Sequence, residues 1–81
     1  MKIESKDITF NYDRYGYMLF YKGLPIGGAG AKGKPKMHWQ HARQNVADNH
    51  NYAESAKQGL LNGNGHPHMI DNIKKIKGVR A

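Results

Sequence analysis

The chain has 81 residues, no cysteine, and a formal net charge of +7 that comes from 13 basic and six acidic side chains. A chain of this length forms a single domain, residues 1–81, with a small core, which argues against a deep enzyme pocket. The lack of cysteine excludes disulfides and thiolate metal sites. The N-terminus is charged from Lys2 onward, and no apolar run is long enough to span a membrane. We therefore expect a cytoplasmic, non-enzymatic protein that has no membrane contact and no cofactor.

Three short segments in the first third of the chain predict an antiparallel β-meander over about residues 7–29. Residues 8–12 alternate apolar and polar side chains, as in a half-buried strand. Residues 15–21 are rich in aromatic side chains on both faces, which is typical of a central strand. Pro25 cannot donate a hydrogen bond to a sheet, so the third strand, residues 24–26, is expected at an edge.

A glycine-rich segment, residues 27–36, joins this predicted sheet to the rest of the chain. Starting at Gly28, it matches both the dinucleotide pattern G-x-G-x-x-G and the phosphate-loop pattern G-x-x-x-x-G-K. Pro35 stands where the phosphate loop requires a hydroxyl group, and no parallel strands are predicted to follow. We interpret the segment as a strand-to-helix connection that binds no nucleotide.

A long helix is predicted over about residues 36–62, because apolar and small residues recur at spacings of three and four. The poor helix formers at 48–51 leave open a break into two helices. The residues that recur at these spacings form one stripe on the helix. Such a stripe is also compatible with helix pairing between two copies of the chain, so a homodimer remains an open alternative. The stripe consists of Trp39, Ala42, Val46, Asn49, Ala53, Ala56 and Leu60.

A short C-terminal helix is predicted over about residues 67–77, after a glycine-rich stop at 63–65. Pro67 suits its first turn, and Gly78 is a natural terminator. Together these elements predict an α+β fold in which the meander packs on the long helix and the short helix follows.

The five histidines lie in the second half of the chain, with His38 and His41 one helical turn apart. Histidine pairs can bind zinc or nickel, but the carboxylates that could complete a site are scattered. We therefore predict no metal site.

Basic side chains form two blocks that contain no acidic residue, and such blocks favour contact with polyanions. The alternative is that both blocks are solvated surface that keeps a small protein soluble. The candidate contact residues are Lys32, Lys34, Lys36 and Arg43 in the first block, and Lys74, Lys75 and Lys77 in the second.

Aromatic side chains are more numerous in the predicted sheet than one core face can bury. Some rings should therefore face outward, where they could stack on bases or enter pockets of a protein partner. The alternative is that a helix covers each face of the sheet. The rings belong to Phe10, Tyr12, Tyr15, Tyr17, Phe20 and Tyr21.

The segment from Tyr15 to Gly28 reads Tyr-Gly-Tyr-Met-Leu-Phe-Tyr-Lys-Gly-Leu-Pro-Ile-Gly-Gly. It resembles the hairpin of the three-stranded DNA-binding modules found in phage tyrosine integrases and plant ethylene-response factors. In that family the sheet enters the major groove and a helix follows it. The resemblance implies that Arg14, Tyr17, Tyr21 and Lys22 contact bases or phosphates.

Its small size and lack of cysteine also make the chain similar to the small accessory proteins of phages and mobile elements. We expect a binding protein that contacts nucleic acid, or a complex that handles nucleic acid, through the lysine-rich loop and the aromatic sheet. The alternative is an inhibitor of a host defence complex, such as an anti-CRISPR protein, that acts by occluding an acidic or nucleic-acid-binding protein surface.

Overall fold

The computed structural model describes residues 3–30 and 46–80, except for the side chains of Val79 and Arg80. It has the predicted α+β architecture, with a three-stranded antiparallel sheet of order β1-β2-β3 followed by two helices. A single turn of 3-10 helix, Ser5–Asp7, precedes the sheet. The elements are β1 (Ile8–Asp13), β2 (Gly16–Tyr21), β3 (Leu24–Gly30), α1 (Val46–Leu61) and α2 (Pro67–Arg80).

The two hairpin turns are built differently. Between β2 and β3, Lys22 and Gly23 both have positive φ values, 51° and 84°, as the mirror-image turn of a tight hairpin requires. Between β1 and β2, the Oδ1 atom of Asp13 accepts hydrogen bonds from the backbone N–H groups of Tyr15 (2.8 Å) and Gly16 (3.1 Å). An aspartate side chain thus stabilises a turn that uses no residue with positive φ.

Strand β3 is longer than the three residues predicted for it, because the first glycines of the connecting segment belong to the strand. Gly28 pairs with Met18, and Gly30 pairs with Gly16. A Cβ atom at Gly28 would collide with the backbone carbonyl oxygen of Tyr17, so this position requires glycine. Pro25 lies in an edge strand, as predicted.

Helix α1 runs without interruption through residues 48–51, so the alternative break is excluded. Its part before Val46, predicted to start near residue 36, lies outside the described residues. The helix ends in a Schellman motif around Gly63 (φ 82°), in which Asn64 N–H donates to the carbonyl of Gly59 (2.8 Å). This is the glycine cap that the sequence predicted.

Helix α2 starts at Pro67, as predicted, but continues through Gly78 to Arg80. The backbone N–H of His68 donates to Nδ1 of His66 (3.1 Å), which therefore acts as the N-cap acceptor. Gly78 was expected to end the helix, but a glycine terminates a helix only where the chain turns into a left-handed conformation, and Gly78 has no positive φ.

The helices pack on one face of the sheet and bury a single core. Helix α1 contacts β1 and β2, while α2 contacts β3. Direct pairing of Ile8 with Tyr21 and of Phe10 with Leu19 places these four side chains on the covered face. The buried core consists of Ile8, Leu19, Tyr21, Ile26, Ala53, Leu60, Met69 and Ile73.

Candidate nucleic-acid interface

Aromatic side chains cluster at the end of the sheet that carries the β1–β2 turn. The turn and the neighbouring strand residues contribute three tyrosines and an arginine, and the first two turns of α1 contribute a histidine and a tyrosine. We call this cluster the aromatic end, and it consists of Tyr12, Arg14, Tyr15, Tyr17, His50 and Tyr52.

Helix α1 positions two of these side chains because its buried stripe faces the sheet. Asn49 and Ala53 are fully buried, so His50 and Tyr52 project to opposite sides of that stripe. The His50 ring meets the Tyr12 ring edge-on at 4.9 Å between centroids. The Tyr52 ring lies 6.5 Å from that of Tyr17. The helix thus brings one ring to β1 and another to β2.

A hydrogen bond from the buried Asn49 side chain fixes the helix at this end of the sheet. Nδ2 of Asn49 donates to the backbone carbonyl of Asp13 at 2.8 Å. The same aspartate holds the β1–β2 turn with its carboxylate. The turn, the strand end and the helix therefore form one rigid support for the rings.

Three rings of the aromatic end are substantially exposed. Tyr12 and Tyr52 are each 44% exposed, and Tyr15 is 41% exposed. The guanidinium carbon of Arg14 lies 5.0 Å from the Tyr15 ring centroid, within the range of a cation–π interaction. Exposed aromatic rings beside a cation are suited to recognising flat or anionic ligands.

Tyr17 differs from these three because it is half-buried. Burial, and to a smaller extent the neighbouring Tyr52, raises the pKa of the Tyr17 phenol above its ordinary value of 10.0. The Tyr17 phenol therefore stays protonated to a higher pH than an exposed tyrosine.

Charges at the aromatic end are mixed within the described residues. Arg14 is accompanied by Asp13 in the same turn and by Asp48 in the first turn of α1. All six acidic residues but only eight of the 13 basic residues lie in the described ranges. The basic excess of the chain therefore comes mainly from residues outside them.

The first predicted basic block, with Lys32, Lys34, Lys36 and Arg43, lies outside the described residues. Both described residues that border this gap are at the aromatic end. Gly30 pairs with Gly16 beside the β1–β2 turn, and Val46 precedes Asn49 by one helical turn. The last described residue of β3 and the first described residue of α1 therefore lie at the same end of the sheet.

The four hairpin residues implied by the resemblance lie at two ends of the sheet. Arg14 and Tyr17 belong to the aromatic end, whereas Tyr21 and Lys22 lie at the opposite end of β2. Tyr21 is only 2% exposed and belongs to the core, so its ring offers no contact surface. The Lys22 ammonium lies 5.6 Å from the Tyr21 ring centroid.

The sheet face that points away from the helices carries little charge. Tyr17 and Tyr21 are on the helix-covered face, whereas Thr9, Met18 and Phe20 are on the other. The strand residues of this other face include no lysine or arginine within the described part of the chain. A major-groove contact through the sheet face would thus use neither tyrosine.

The second basic block lies on α2. Lys74 and Lys75 are exposed, and Lys77 is half-buried. Because adjacent residues of a helix are about 100° apart, Lys74 and Lys75 point away from the buried Ile73, whereas Lys77 lies one turn after Ile73 on the same side of the helix. The three lysines therefore do not form one stripe.

His50 and Tyr52 were not recognised from the sequence as site residues. Both lie just beside the predicted stripe, so the helical period would have placed them on its flanks. Which strand each flank meets is decided by the packing of α1 on the sheet.

Comparison with known protein families, with characterised proteins and with solved structures finds no match to this chain. Within residues 3–30 and 46–80, no three histidine or carboxylate side chains are placed to hold a metal ion. In the same part of the chain, no helix has the length and apolar character needed to cross a membrane.

Proposed function

We propose that this protein is a small non-enzymatic binding protein of phage type that contacts nucleic acid, or a complex that handles nucleic acid, through the aromatic end. The observation that carries the proposal is the exposure of Tyr12, Tyr15 and Tyr52 beside Arg14 on one rigid support. The protein would act in the cytoplasm of a bacterial host.

The distribution of charge supports this proposal. In the sequence, the basic block at residues 32–43 lies between Gly30 and Val46, and both of these residues are at the aromatic end. Lysines on such a segment would supply attraction to phosphates, which the mixed charges of Asp13, Arg14 and Asp48 do not. Rings and cations would then act on the same ligand.

The dependence of nucleic-acid affinity on salt tests the proposal. Binding of a labelled oligonucleotide is measured by fluorescence anisotropy between about 50 and 200 mM salt. We expect affinity to fall steeply, and a variant with serine at Lys32, Lys34, Lys36 and Arg43 to reduce the slope of log affinity against log salt by about 3 to 4.

The matched control replaces Lys74, Lys75 and Lys77 with serine, which removes a similar charge from α2. If both variants weaken binding equally, only the net charge matters and the assigned surface is wrong. No binding to any nucleic acid at low salt would reject the proposal.

A second candidate function is inhibition of a host defence complex by protein–protein occlusion, as anti-CRISPR proteins do. The exposed tyrosines favour it, because tyrosine is enriched in protein interfaces, and the acidic Asp13 and Asp48 beside them would repel phosphates. Expression of the chain in a bacterium with an active CRISPR system should then restore phage plaques. Unchanged plaque numbers would exclude this function for the system tested.

A further inference from the structure

We infer that the aromatic end binds unpaired bases of single-stranded nucleic acid by stacking them on tyrosine rings, in preference to a duplex. This inference rests on the proposed function, because it specifies the form of nucleic acid that the same surface takes.

The first argument is that several aromatic rings lie close together at this end of the sheet. His50 contacts Tyr12 at 4.9 Å between centroids, and Tyr12 is the direct cross-strand partner of Tyr17. Tyr17 in turn lies 6.5 Å from Tyr52. Two ring pairs, His50 with Tyr12 and Tyr52 with Tyr17, thus lie on neighbouring strands, and Tyr12 and Tyr52 are exposed. Bases of a single strand stack on neighbouring aromatic rings of this kind.

The second argument concerns what a duplex would require. In a duplex the faces of the bases are already stacked, and only their edges and the phosphates are accessible. Among the described residues, Arg14 is accompanied by the acidic Asp13 in the same turn and Asp48 in the first turn of α1, so this part of the surface does not present the row of cations that follows a duplex backbone. The surface mainly offers exposed aromatic rings, and only unpaired bases have faces free to stack on them.

The third argument is the rigidity of the support. Asp13 accepts hydrogen bonds from the turn and from Asn49 of α1, so the turn that carries Tyr15 and the helix that carries Tyr52 are held together. Rings that are held in place before binding lose little conformational freedom on binding.

Paired binding measurements test this inference. A single-stranded oligonucleotide of about 16 nucleotides spans the sites of small single-strand-binding folds. Its affinity at one salt concentration is compared with that of a hairpin duplex of the same sequence. We expect the single strand to bind at least about tenfold more tightly, as one stacked base would provide.

Ring-removing substitutions identify the surface. Tyr15→Ala and Tyr52→Ala should each weaken single-strand binding by roughly five- to 150-fold. Tyr15→Phe and Tyr52→Phe keep the ring and should bind as the parent does. Leu24→Ala removes an exposed apolar side chain at the opposite end of the sheet and should change nothing. Circular dichroism verifies that each variant is folded.

Each outcome separates this inference from the proposed function. If the duplex binds as tightly as the single strand, or if the phenylalanine variants lose as much affinity as the alanine variants, stacking on unpaired bases is wrong while nucleic-acid binding stands. If neither form binds at low salt, both fail.

Discussion

Asp13 joins three parts of the molecule with two of its oxygen atoms. Its Oδ1 atom accepts hydrogen bonds from the backbone of the β1–β2 turn, and its carbonyl oxygen accepts one from Asn49 of α1. Aspartate is favoured in turns for local reasons, so this role can be predicted from the sequence. Its long-range bond to a residue 36 positions later is a property of the folded chain only.

Lys22 occupies a left-handed conformation that lysine tolerates poorly. Its φ of 51° precedes Gly23 in the β2–β3 turn, where Asn-Gly is the preferred pair. We predict that Lys22→Asn raises the free energy of unfolding by about 0.5–1 kcal/mol, measured by urea denaturation. Lys6→Asn removes a charge from an exposed residue with no positive φ and should shift stability by less than about 0.5 kcal/mol. Equal effects of the two substitutions would contradict the backbone explanation.

Tyr17 predicts how stability changes at high pH. Because burial raises its pKa above 10.0 in the folded state, the folded protein retains a proton that the unfolded chain has lost. The contribution of Tyr17 to the free energy of unfolding is fully present below pH 10 and is lost as the pH rises through the pKa of Tyr17 in the folded protein. We expect the free energy of unfolding to fall above pH 10, and to fall less steeply in Tyr17→Phe. Identical slopes in the two proteins would refute this.

At the scale of elements, one asparagine on each helix reaches a carbonyl of the sheet. Asn49 of α1 donates to Asp13, and Asn72 of α2 donates to Ile26, each at 2.8 Å. Ile26 has no partner in the register of β2 and β3, since Phe20 pairs with Pro25 and Leu19 pairs with Gly27. Such an irregular residue leaves the ladder incomplete, and Asn72 satisfies its carbonyl. Polar side chains thereby fix where each helix lies on an otherwise apolar contact.

Replacing the first of these asparagines tests its role. Asn49→Ala removes a buried hydrogen bond and leaves a small cavity, so we predict a loss of about 1–3 kcal/mol in the free energy of unfolding. The matched control is Asn51→Ala on the exposed side of the same helix, which should shift stability by less than about 0.5 kcal/mol. Thermal denaturation measures the loss of stability in each variant, and equal losses would contradict the assigned role of Asn49.

At the scale of the whole molecule, both helices and all three strands share one small core. Ala53 of α1, Ile73 of α2 and Leu19 of the central strand β2 belong to the same buried cluster. A chain of this length has a total free energy of unfolding of only about 4–12 kcal/mol. Loss of one core side chain should therefore be felt throughout the fold.

Ile73→Ala tests this cooperativity. The side chain is fully buried, and its truncation should lower the free energy of unfolding by about 2–5 kcal/mol. The amide NMR signals of β2, which report on the sheet, and those of α2 should show the same midpoint. Separate midpoints would mean that α2 unfolds independently of the sheet.

The sequence by itself determined the order and type of the elements. Alternating side chains in residues 8–12, the aromatic strand that follows, Pro25 at an edge and the cap at Gly63 are local signals, and each predicted its element correctly. Local signals did not predict the secondary structure correctly where contacts between elements outweigh the intrinsic preferences of the residues. Gly27 to Gly30 extend β3 because β2 supplies their partners, and the poor helix formers at 48–51 stay helical because Asn49 is anchored to the sheet.

Only the tertiary structure decided the membership of the candidate site. Tyr17 and Tyr21 look equivalent in the sequence, but the first lies at the aromatic end and the second is buried in the core. His50 and Tyr52 join the site because α1 lies across β1 and β2 with Asn49 and Ala53 facing inward. The physical reason is that the period of a helix or strand determines the face on which a side chain lies. The residues that this side chain contacts depend on how separate elements pack together.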